Sequence, residues 1–329
     1  MTPSRRDVLT LAGATTVATV AGFPVGAQDE SHDELPAYSQ WLTLEDGTLE
    51  FAYLDWAALD EIVQADLEET EPGEEIPPEY EADPMVGTVS EGALSTYLFV
   101  GLSLGQFRLG RLLEEDAFES TVDGLLQTSG AFVVLGELIP DEIDAQLTAE
   151  PEAEFIRQLE QTDEIAGADV YTPADGTDDA AIAIDDDALV VATAAELGSE
   201  TEPTTALETT VGAAAGDVDR ATAESETFEW LLEAAGGGDI VVGQYGDPPD
   251  PEFTFDGLED AEGVVSSLTA EDAETATGEF AAIVDDADEA TLEGIVGASA
   301  DERSLDVDGD RVTATATWRE DVTITGRLS

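Results

Sequence analysis

Alternating and continuous apolar runs along the chain predict β-strands that pair mainly in hairpins. Leu49, Phe51 and Tyr53 alternate with polar or small residues after Asp46-Gly47, which predicts a hairpin over 38–52. Further strands are predicted at 131–138, 170–171, 181–184, 189–192, 239–245, 264–268, 277–284 and on both sides of Asp308-Gly309. Most of these strands follow one another through short turns. We therefore predict an α+β fold of antiparallel β-hairpins and sheets packed with short helices.

Helical spacing of apolar residues appears between the predicted strands. Helices are predicted at 59–67, after Pro140, at 155–159, after a Thr205-x-x-Glu208 capping box, at 228–235 and after Asp288. The pattern over 86–115 favours a helix around Ala93–Val100, but Leu102, Leu104, Phe107 and Leu109 also fit a strand, so the structure of the segment stays open. Strand pairs followed by a helix recur at 41–67, 180–215 and 264–299. This recurrence suggests a duplicated ββα-type unit.

The amino terminus carries a pattern typical of export. The pair Arg5-Arg6 precedes a mildly apolar stretch, and Val25-Gly26-Ala27 supplies small residues for cleavage after Ala27. This layout resembles the twin-arginine export signal, which implies an exported protein. A cytosolic tail and an uncleaved membrane anchor are the alternatives. We divide the chain into a signal peptide (1–27), an acidic linker (28–37) and a globular α+β region (38–329), with a candidate sub-boundary near 246–262.

The charge of the chain indicates the solvent for which it is built. The sequence holds 77 acidic residues against 10 basic ones, and every basic residue is arginine. Without residues 1–27 the balance is 76 against 8, a net charge of −68. Exposed carboxylates at this density repel one another in dilute buffer, whereas molar salt shortens the screening length to about 3 Å. The composition resembles that of secreted haloarchaeal proteins, which implies an extracellular or envelope location.

The same charge limits the partners of the protein. A strongly negative surface disfavours binding to nucleic acid and to anionic lipid. No segment after the signal reaches the roughly 18 apolar residues of a membrane span, so we expect no transmembrane helix in the mature chain. Loosely bound cations are compatible with so many carboxylates. The partner we expect is an envelope or extracellular one whose identity the sequence leaves open.

The order of predicted elements between Ser129 and Tyr245 carries a second resemblance. A strand of the type Phe132-Val133-Val134-Leu135-Gly136 leads to a helix, a Val-Tyr strand, an apolar hairpin and two helices. This succession resembles a layout that recurs in exported archaeal and bacterial proteins. The resemblance covers about a third of the chain and implies no activity.

Missing residue types exclude several kinds of chemistry. The sequence contains no Cys, no Lys and no Asn, which removes disulfides, thiolate nucleophiles, Schiff bases and N-glycosylation. His32 is the sole histidine and lies near the predicted cleavage point, so no serine has a predicted histidine partner. Carboxylate pairs arise by composition alone here. We therefore assign no catalytic residue and no cofactor.

Three acidic clusters supply oxygen ligands of the kind that bind hard cations. They contain Asp185 and Asp187, Asp285 to Asp288, and Asp306 and Asp308. The last cluster departs from a calcium loop, because Arg311 stands where the glycine belongs. Each cluster falls at a predicted turn, and a solvated turn is the favoured explanation for all three. Asp185, Asp187, Asp306 and Asp308 remain weak metal candidates.

These observations favour a non-catalytic binding or interaction module of a salt-adapted cell envelope. A carboxylate-dependent extracellular hydrolase acting on glycosides and a structural surface component are the alternatives. A cleft holding two carboxylates beside Trp or Tyr would favour the hydrolase. An exposed apolar patch would favour partner binding.

Overall fold

A computed structural model describes residues 35–319 except 60–81, 115–116, 152, 154, 195–200, 248–254, 256–257, 259, 273–274 and 286. Twelve strands form one sheet in the order β11-β12-β10-β9-β8-β1-β2-β3-β7-β6-β5-β4, with antiparallel neighbours. The strands are β1 Leu49–Asp55, β2 Gly124–Thr128, β3 Phe132–Leu135, β4 Leu159–Ile165, β5 Ala168–Pro173, β6 Ala180–Ile184, β7 Ala188–Thr193, β8 Ile240–Tyr245, β9 Gly263–Asp272, β10 Thr275–Ile283, β11 Glu302–Asp308 and β12 Arg311–Arg319. The predicted α+β class is confirmed.

Six α-helices and one 3-10 helix (Ala37–Trp41) cover the sheet within the described residues. The α-helices are α1 Gly87–Gln106, α2 Pro140–Leu147, α3 Pro203–Ala215, α4 Ala221–Glu224, α5 Glu226–Ala235 and α6 Glu289–Leu292. Proline opens α2 and α3, where its missing N–H costs nothing. The side chains of Ser225 and Asp288 cap α5 and α6. Gly216 ends α3 in the left-handed region, at φ +84°.

The sheet consists of two halves that repeat one strand order. β1, β2, β3, β7 and β6 lie side by side in the first half, and β8, β9, β10, β12 and β11 take the same places in the second. In each half, three consecutive strands precede a helix, and the last strand returns beside the third. The hairpin β4–β5 extends the first half. β1 and β8 join the halves, from Leu49 opposite Tyr245 to Leu54 opposite Ile240.

Alternating side chains of the strands feed two cores on opposite faces of the sheet. Leu54, Leu125 and Val134 pack with α1, α2 and α6 on one face. Phe51 and Val133 pack with α3, α4 and α5 on the other. Because the side chains of a strand alternate with period two, one strand serves both cores. The result is a sheet between two helical layers.

Several details differ from the sequence predictions. The first arm of the predicted 38–52 hairpin is the 3-10 helix followed by a single bridge between Glu45 and Thr48, so 41–67 contains one described strand rather than a pair. The predicted helix at 155–159 is instead a turn that leads into β4. The capping box at Thr205 is wrong, because Pro203 starts α3 earlier and Glu202 gives no side-chain cap.

Other predicted elements are confirmed or settled by the structure. The open segment 86–115 contains the 20-residue helix α1, and the terminal hairpin turns at Asp308-Gly309. The pairs β6–β7 and β9–β10 are followed by α3 and α6, but the repeated unit is larger than ββα. β8 and β9 flank the interval 246–262 and pair in the same sheet. The predicted helix over 59–67 lies outside the described residues beyond Leu59.

Candidate functional site

Two surfaces of the described molecule carry features that packing alone does not explain. The first is a cavity of about 650 Å³, called here the acidic cavity. The second is the outward side of α1, called here the α1 stripe, which consists of Glu91, Ser95, Leu98, Leu102 and Gly105. The two surfaces support different functions.

The acidic cavity lies where β1, β9, β10 and β12 meet the end of α5. Antiparallel register brings Thr277 opposite Thr269 on one side and Thr317 on the other, which gives a threonine-lined wall. Asp55 and Asp239 lie at the edge of the cavity. Their backbones are adjacent, since the Asp55 N–H donates to the Asp239 carbonyl at 2.7 Å. Glu233, Glu271 and Glu279 complete the carboxylates of the described lining. The described lining contains no arginine, tryptophan or tyrosine.

Burial shifts the pKa of two of the carboxyl groups at this cavity, Asp55 and Asp239. Burial raises the pKa of the Asp55 carboxyl, although the hydrogen bond from the Ala58 N–H acts in the opposite direction and lowers it. Burial likewise raises the pKa of Asp239, against the hydrogen bond from the Ala270 N–H. Tyr53 lies behind them, and burial together with the carboxylates of Asp55, Asp123 and Asp239 raises its pKa to about 12. The cavity therefore favours the protonated forms of these acids.

Acid–base hydrolysis uses two carboxyl groups of this kind, but both carboxylates here also have structural contacts. Asp55 Oδ1 accepts from the Ala58 N–H at 3.1 Å and caps the turn of helix over 56–59. Asp239 Oδ2 accepts from the Ala270 N–H at 2.7 Å and fixes the end of β9 against β8. These bonds explain why carboxylates stand at both positions without any substrate.

The α1 stripe is an apolar surface on a highly acidic protein. The 16 residues of 92–107 include no charged residue, in a chain of which 26% is charged. The inner side of α1 packs Val89, Ala93, Val100 and Leu104 into the core. On the outer side Leu98 is 46% exposed and Leu102 is 73% exposed. Exposed large apolar side chains on one helix face mark interaction surfaces more often than solvent surfaces.

Neighbouring residues extend the stripe at its carboxyl end. The Arg157 N–H donates to the Gln106 carbonyl at 2.8 Å, which places the segment holding Phe155 beside the end of α1. Phe155 is 70% exposed. Gly110 lies against Gly105, since a β carbon on Gly110 would come within 3.1 Å of the Gly105 α carbon.

Arginines gather at this end of α1. Arg108 donates to the Glu150 carbonyl and adopts the left-handed backbone region at φ 65°. Arg111 pairs with Glu114 at 2.7 Å, and both side chains are largely exposed. Arg157 pairs with Asp179 at 2.8 Å. The stripe therefore has a carboxylate, Glu91, at its amino end and cations near its carboxyl end.

The candidate residues from the sequence fall elsewhere. Arg5, Arg6, Ala27 and His32 lie outside the described residues. Asp185 Oδ1 accepts from the N–H groups of Asp187 and Ala188 at 2.9 and 2.8 Å, which is a turn-stabilising role. Asp306 and Asp308 are exposed on the edge strand β11. In the described ranges, no three His, Asp or Glu side chains are placed to hold a metal ion.

Sequence reasoning missed both surfaces. Asp55 and Asp239 could not be separated from dozens of other acidic residues, because only the sheet order brings β1 beside β8. The α1 stripe did leave a signal, which is the uncharged run 92–107. That signal was obscured because part of the segment also fits a strand pattern.

Comparisons with known proteins add no function. No family model matches the chain, and no curated protein sequence matches it. Crystal forms III and I of TP0453 resemble the chain with TM-scores of 0.44 and 0.41, each at 10% identity over 87% of this chain and over 95% and 94% of theirs. Among the described helices, none is both long and apolar enough to cross a membrane.

Proposed function

We propose that the protein is an exported, salt-adapted interaction module of the cell envelope, without catalytic activity, and that the α1 stripe is its contact surface. The observation that carries this proposal is the exposure of Leu98 and Leu102 on a helix face that has no carboxylate between residues 92 and 107. Elsewhere the chain places acidic residues at high density. A face that departs from this rule is suited to contact rather than to water.

Burial of apolar side chains at this surface would contribute free energy to the binding of a partner. Burying a leucine or phenylalanine side chain contributes about 1.5–3 kcal/mol relative to exposure. Leu98 and Leu102 offer such side chains on the outer side of α1, and Phe155 offers one in the segment beside its carboxyl end. Molar salt strengthens the burial of apolar surface and screens the repulsion between acidic partners. The composition and the surface thus support the same environment.

Export is part of the proposal and has its own test. Replacing Arg5 and Arg6 by lysine removes the guanidinium pair that resembles the twin-arginine signal. We expect the variant to accumulate inside the producing cells with residues 1–27 still attached. Equal secretion of the variant and the wild-type chain would contradict the twin-arginine assignment.

The contact surface can be tested in the producing cells, because the chain has no cysteine of its own. Leu102→Cys places a thiol on the stripe, and Val218→Cys places one at another exposed apolar position, 36% exposed, outside α1. We expect a water-soluble maleimide to label the Val218→Cys chain at least ten times faster than the Leu102→Cys chain. Both should react equally after denaturation. Equal rates on intact cells would refute the stripe as a contact surface.

A hydrolase remains the second candidate, and the raised pKa values of Asp55 and Asp239 at the acidic cavity favour it. Glycoside hydrolysis needs one protonated and one ionised carboxyl group, and a raised pKa suits the protonated member of such a pair. The test is release of reducing ends from polysaccharides in molar salt. Activity that disappears in both Asp55→Asn and Asp239→Asn would establish the hydrolase and exclude the non-catalytic role.

A further inference from the structure

We infer that the partner of the α1 stripe is a second copy of this chain, packed with its own α1 antiparallel across a two-fold axis near Val100. This inference rests on the proposed function of the stripe as a contact surface. It adds the identity of the partner, the orientation of the two helices and the residues that meet.

The spacing of the stripe is that of a helix–helix seam. Its exposed or half-exposed positions fall at 91, 95, 98, 102 and 105, with steps of four, three, four and three residues. Two helices that pack along their length use this alternation, because it keeps the contacting side chains on one line.

Small residues on the stripe permit a close approach. A β carbon built on Gly101 or Gly105 would meet no atom within 4 Å, so the space above both glycines is open. An antiparallel pair centred near residue 100 places Leu98 opposite Leu102 of the second copy, and Ser95 opposite its Gly105. Each large side chain then lies beside the small residues of the other helix.

The charges at the two ends of the stripe favour the antiparallel orientation. At a rise of about 1.5 Å per residue, Glu91 lies about 13 Å from the axis on one side, and α1 ends at Gln106 about 9 Å from it on the other, with Arg108 directly after that end. Antiparallel packing therefore brings Glu91 near Arg108 and Arg111 of the second copy. Parallel packing would bring like charges together at both ends. The two helix dipoles also oppose one another in the antiparallel pair.

A self-complementary surface of this kind is the signature of a two-fold interface. Rotation by 180° about the axis exchanges Leu98 with Leu102 and Glu91 with the arginines, so one patch meets its own complement. The net charge of −67 opposes approach to an anionic membrane.

Disulfide trapping in the full chain tests the orientation directly. Opposite seam positions come within the 4.4–6.8 Å between α carbons that a disulfide needs, whereas two copies of Ser95 are about 15 Å apart along the antiparallel pair. In about 3 M salt under mild oxidation, we expect Ser95→Cys and Gly105→Cys chains to form a mixed dimer. Ser95→Cys alone should give at least tenfold less. Efficient linking of Ser95→Cys to itself would overturn the antiparallel pair.

The mass in solution and a charge-exchange experiment separate loss of pairing from loss of folding. The wild-type chain in about 3 M salt should scatter light as twice its 34.5 kDa. The double variant Leu98→Glu with Leu102→Glu should dissociate at least tenfold more readily, whereas Thr204→Glu with Thr205→Glu on α3 should not. Mixing the glutamate variant with its arginine counterpart (Leu98→Arg with Leu102→Arg) should restore the dimer. Failure of that rescue would overturn the inference.

The outcomes also distinguish this inference from the proposed function. A monomeric wild-type chain that forms no mixed disulfide refutes the second copy. If Leu102→Cys is nevertheless protected in cells, the stripe contacts another occupant, such as residues 60–81 of the same chain or a lipid surface. In that case the proposed function stands and only the identity of the partner changes.

Discussion

The two helical layers bury similar inner faces on one sheet but present opposite outer faces. On one side, α3 and α5 expose mainly glutamate and threonine, including Thr204, Glu208, Glu226 and Glu233. On the other side, α1 exposes Leu98 and Leu102 along a stripe whose central positions carry no charge. Because both layers belong to the same acidic chain, composition does not explain the difference. The outer face of α3 and α5 is suited to brine, and that of α1 to a contact.

The largest expected effect is a loss of stability at low salt that affects the α3 and α5 layer before the α1 layer. Carboxylates on α3 and α5 repel neighbouring carboxylates in dilute buffer, whereas the α1 stripe has few to repel. We expect the melting temperature to fall by more than about 10 °C between 3 M and 0.1 M salt. Amide exchange should accelerate in α3 and α5 before α1. An unchanged melt over this range would contradict the salt adaptation.

The next effect concerns the anchor of the α1 layer. The buried carboxylate of Asp83 accepts from the N–H groups of Met85, Gly297 and Ser299 and from the Ser299 hydroxyl, at 2.6 to 3.1 Å. Asp83→Ala leaves these donors without an acceptor, which should cost about 3–5 kcal/mol of unfolding free energy in urea. The control Asp288→Ala, which removes only the cap of α6, should cost about 1 kcal/mol. Equal losses would show that Asp83 is not the anchor.

The matching contact on the other layer should be weaker. Arg220 donates to the carbonyls of Ala213 and Ala214 at 3.0 and 3.1 Å and caps the end of α3. Because the guanidinium is only partly buried, Arg220→Ala should cost about 1 kcal/mol, measured by the same urea titration. A loss as large as that of Asp83→Ala would remove the contrast between the two anchors.

The smallest effect is a gain at the acidic cavity. Burial raises the folded-state pKa of Asp55, so the folded chain binds more protons than the unfolded chain between the ordinary and the raised pKa. Its contribution to stability therefore falls as pH rises through that window. Asp55→Asn keeps an acceptor for the Ala58 N–H and avoids this loss. We expect a gain below about 1 kcal/mol at pH 7 that vanishes below the ordinary pKa of aspartate.

The predicted gain in stability for Asp55→Asn has a clear contrary result. Destabilisation by Asp55→Asn at pH 7 would mean that the ionised carboxylate is favoured in the folded chain. The urea titration should be repeated at pH 3 and pH 7 in the same salt. The difference between the two pH values, rather than either value alone, carries the sign.

Much of the fold was accessible from the sequence, because apolar alternation reports local burial. The hairpins β6–β7, β9–β10 and β11–β12 were predicted from runs and turn residues alone. The strand β4 was missed, since its exposed sequence Glu160 to Glu164 lies at the sheet edge and has no apolar pattern. The joining of the halves through β1 and β8 depends on pairing across nearly 200 residues, which no local pattern encodes.

The candidate surfaces show the same limit. Leu98 and Leu102 were visible as apolar residues, but their exposure follows only from which side of α1 faces the sheet. Conversely, Asp185 and Asp187 looked like ligands in the sequence and form a turn in the structure. In both cases the sequence gives the residue type, whereas the surroundings of each side chain follow only from the tertiary fold.

One measurement tests most directly whether the outer face of α1 is buried in a contact and shielded from water. A polarity-sensitive fluorophore attached to Leu102→Cys, and separately to Thr204→Cys on α3, reports the surroundings of each face in the full chain at about 3 M salt. We predict a blue-shifted emission at Leu102 that returns to the red on strong dilution, with no such change at Thr204. Identical, concentration-independent emission from both positions would contradict the account.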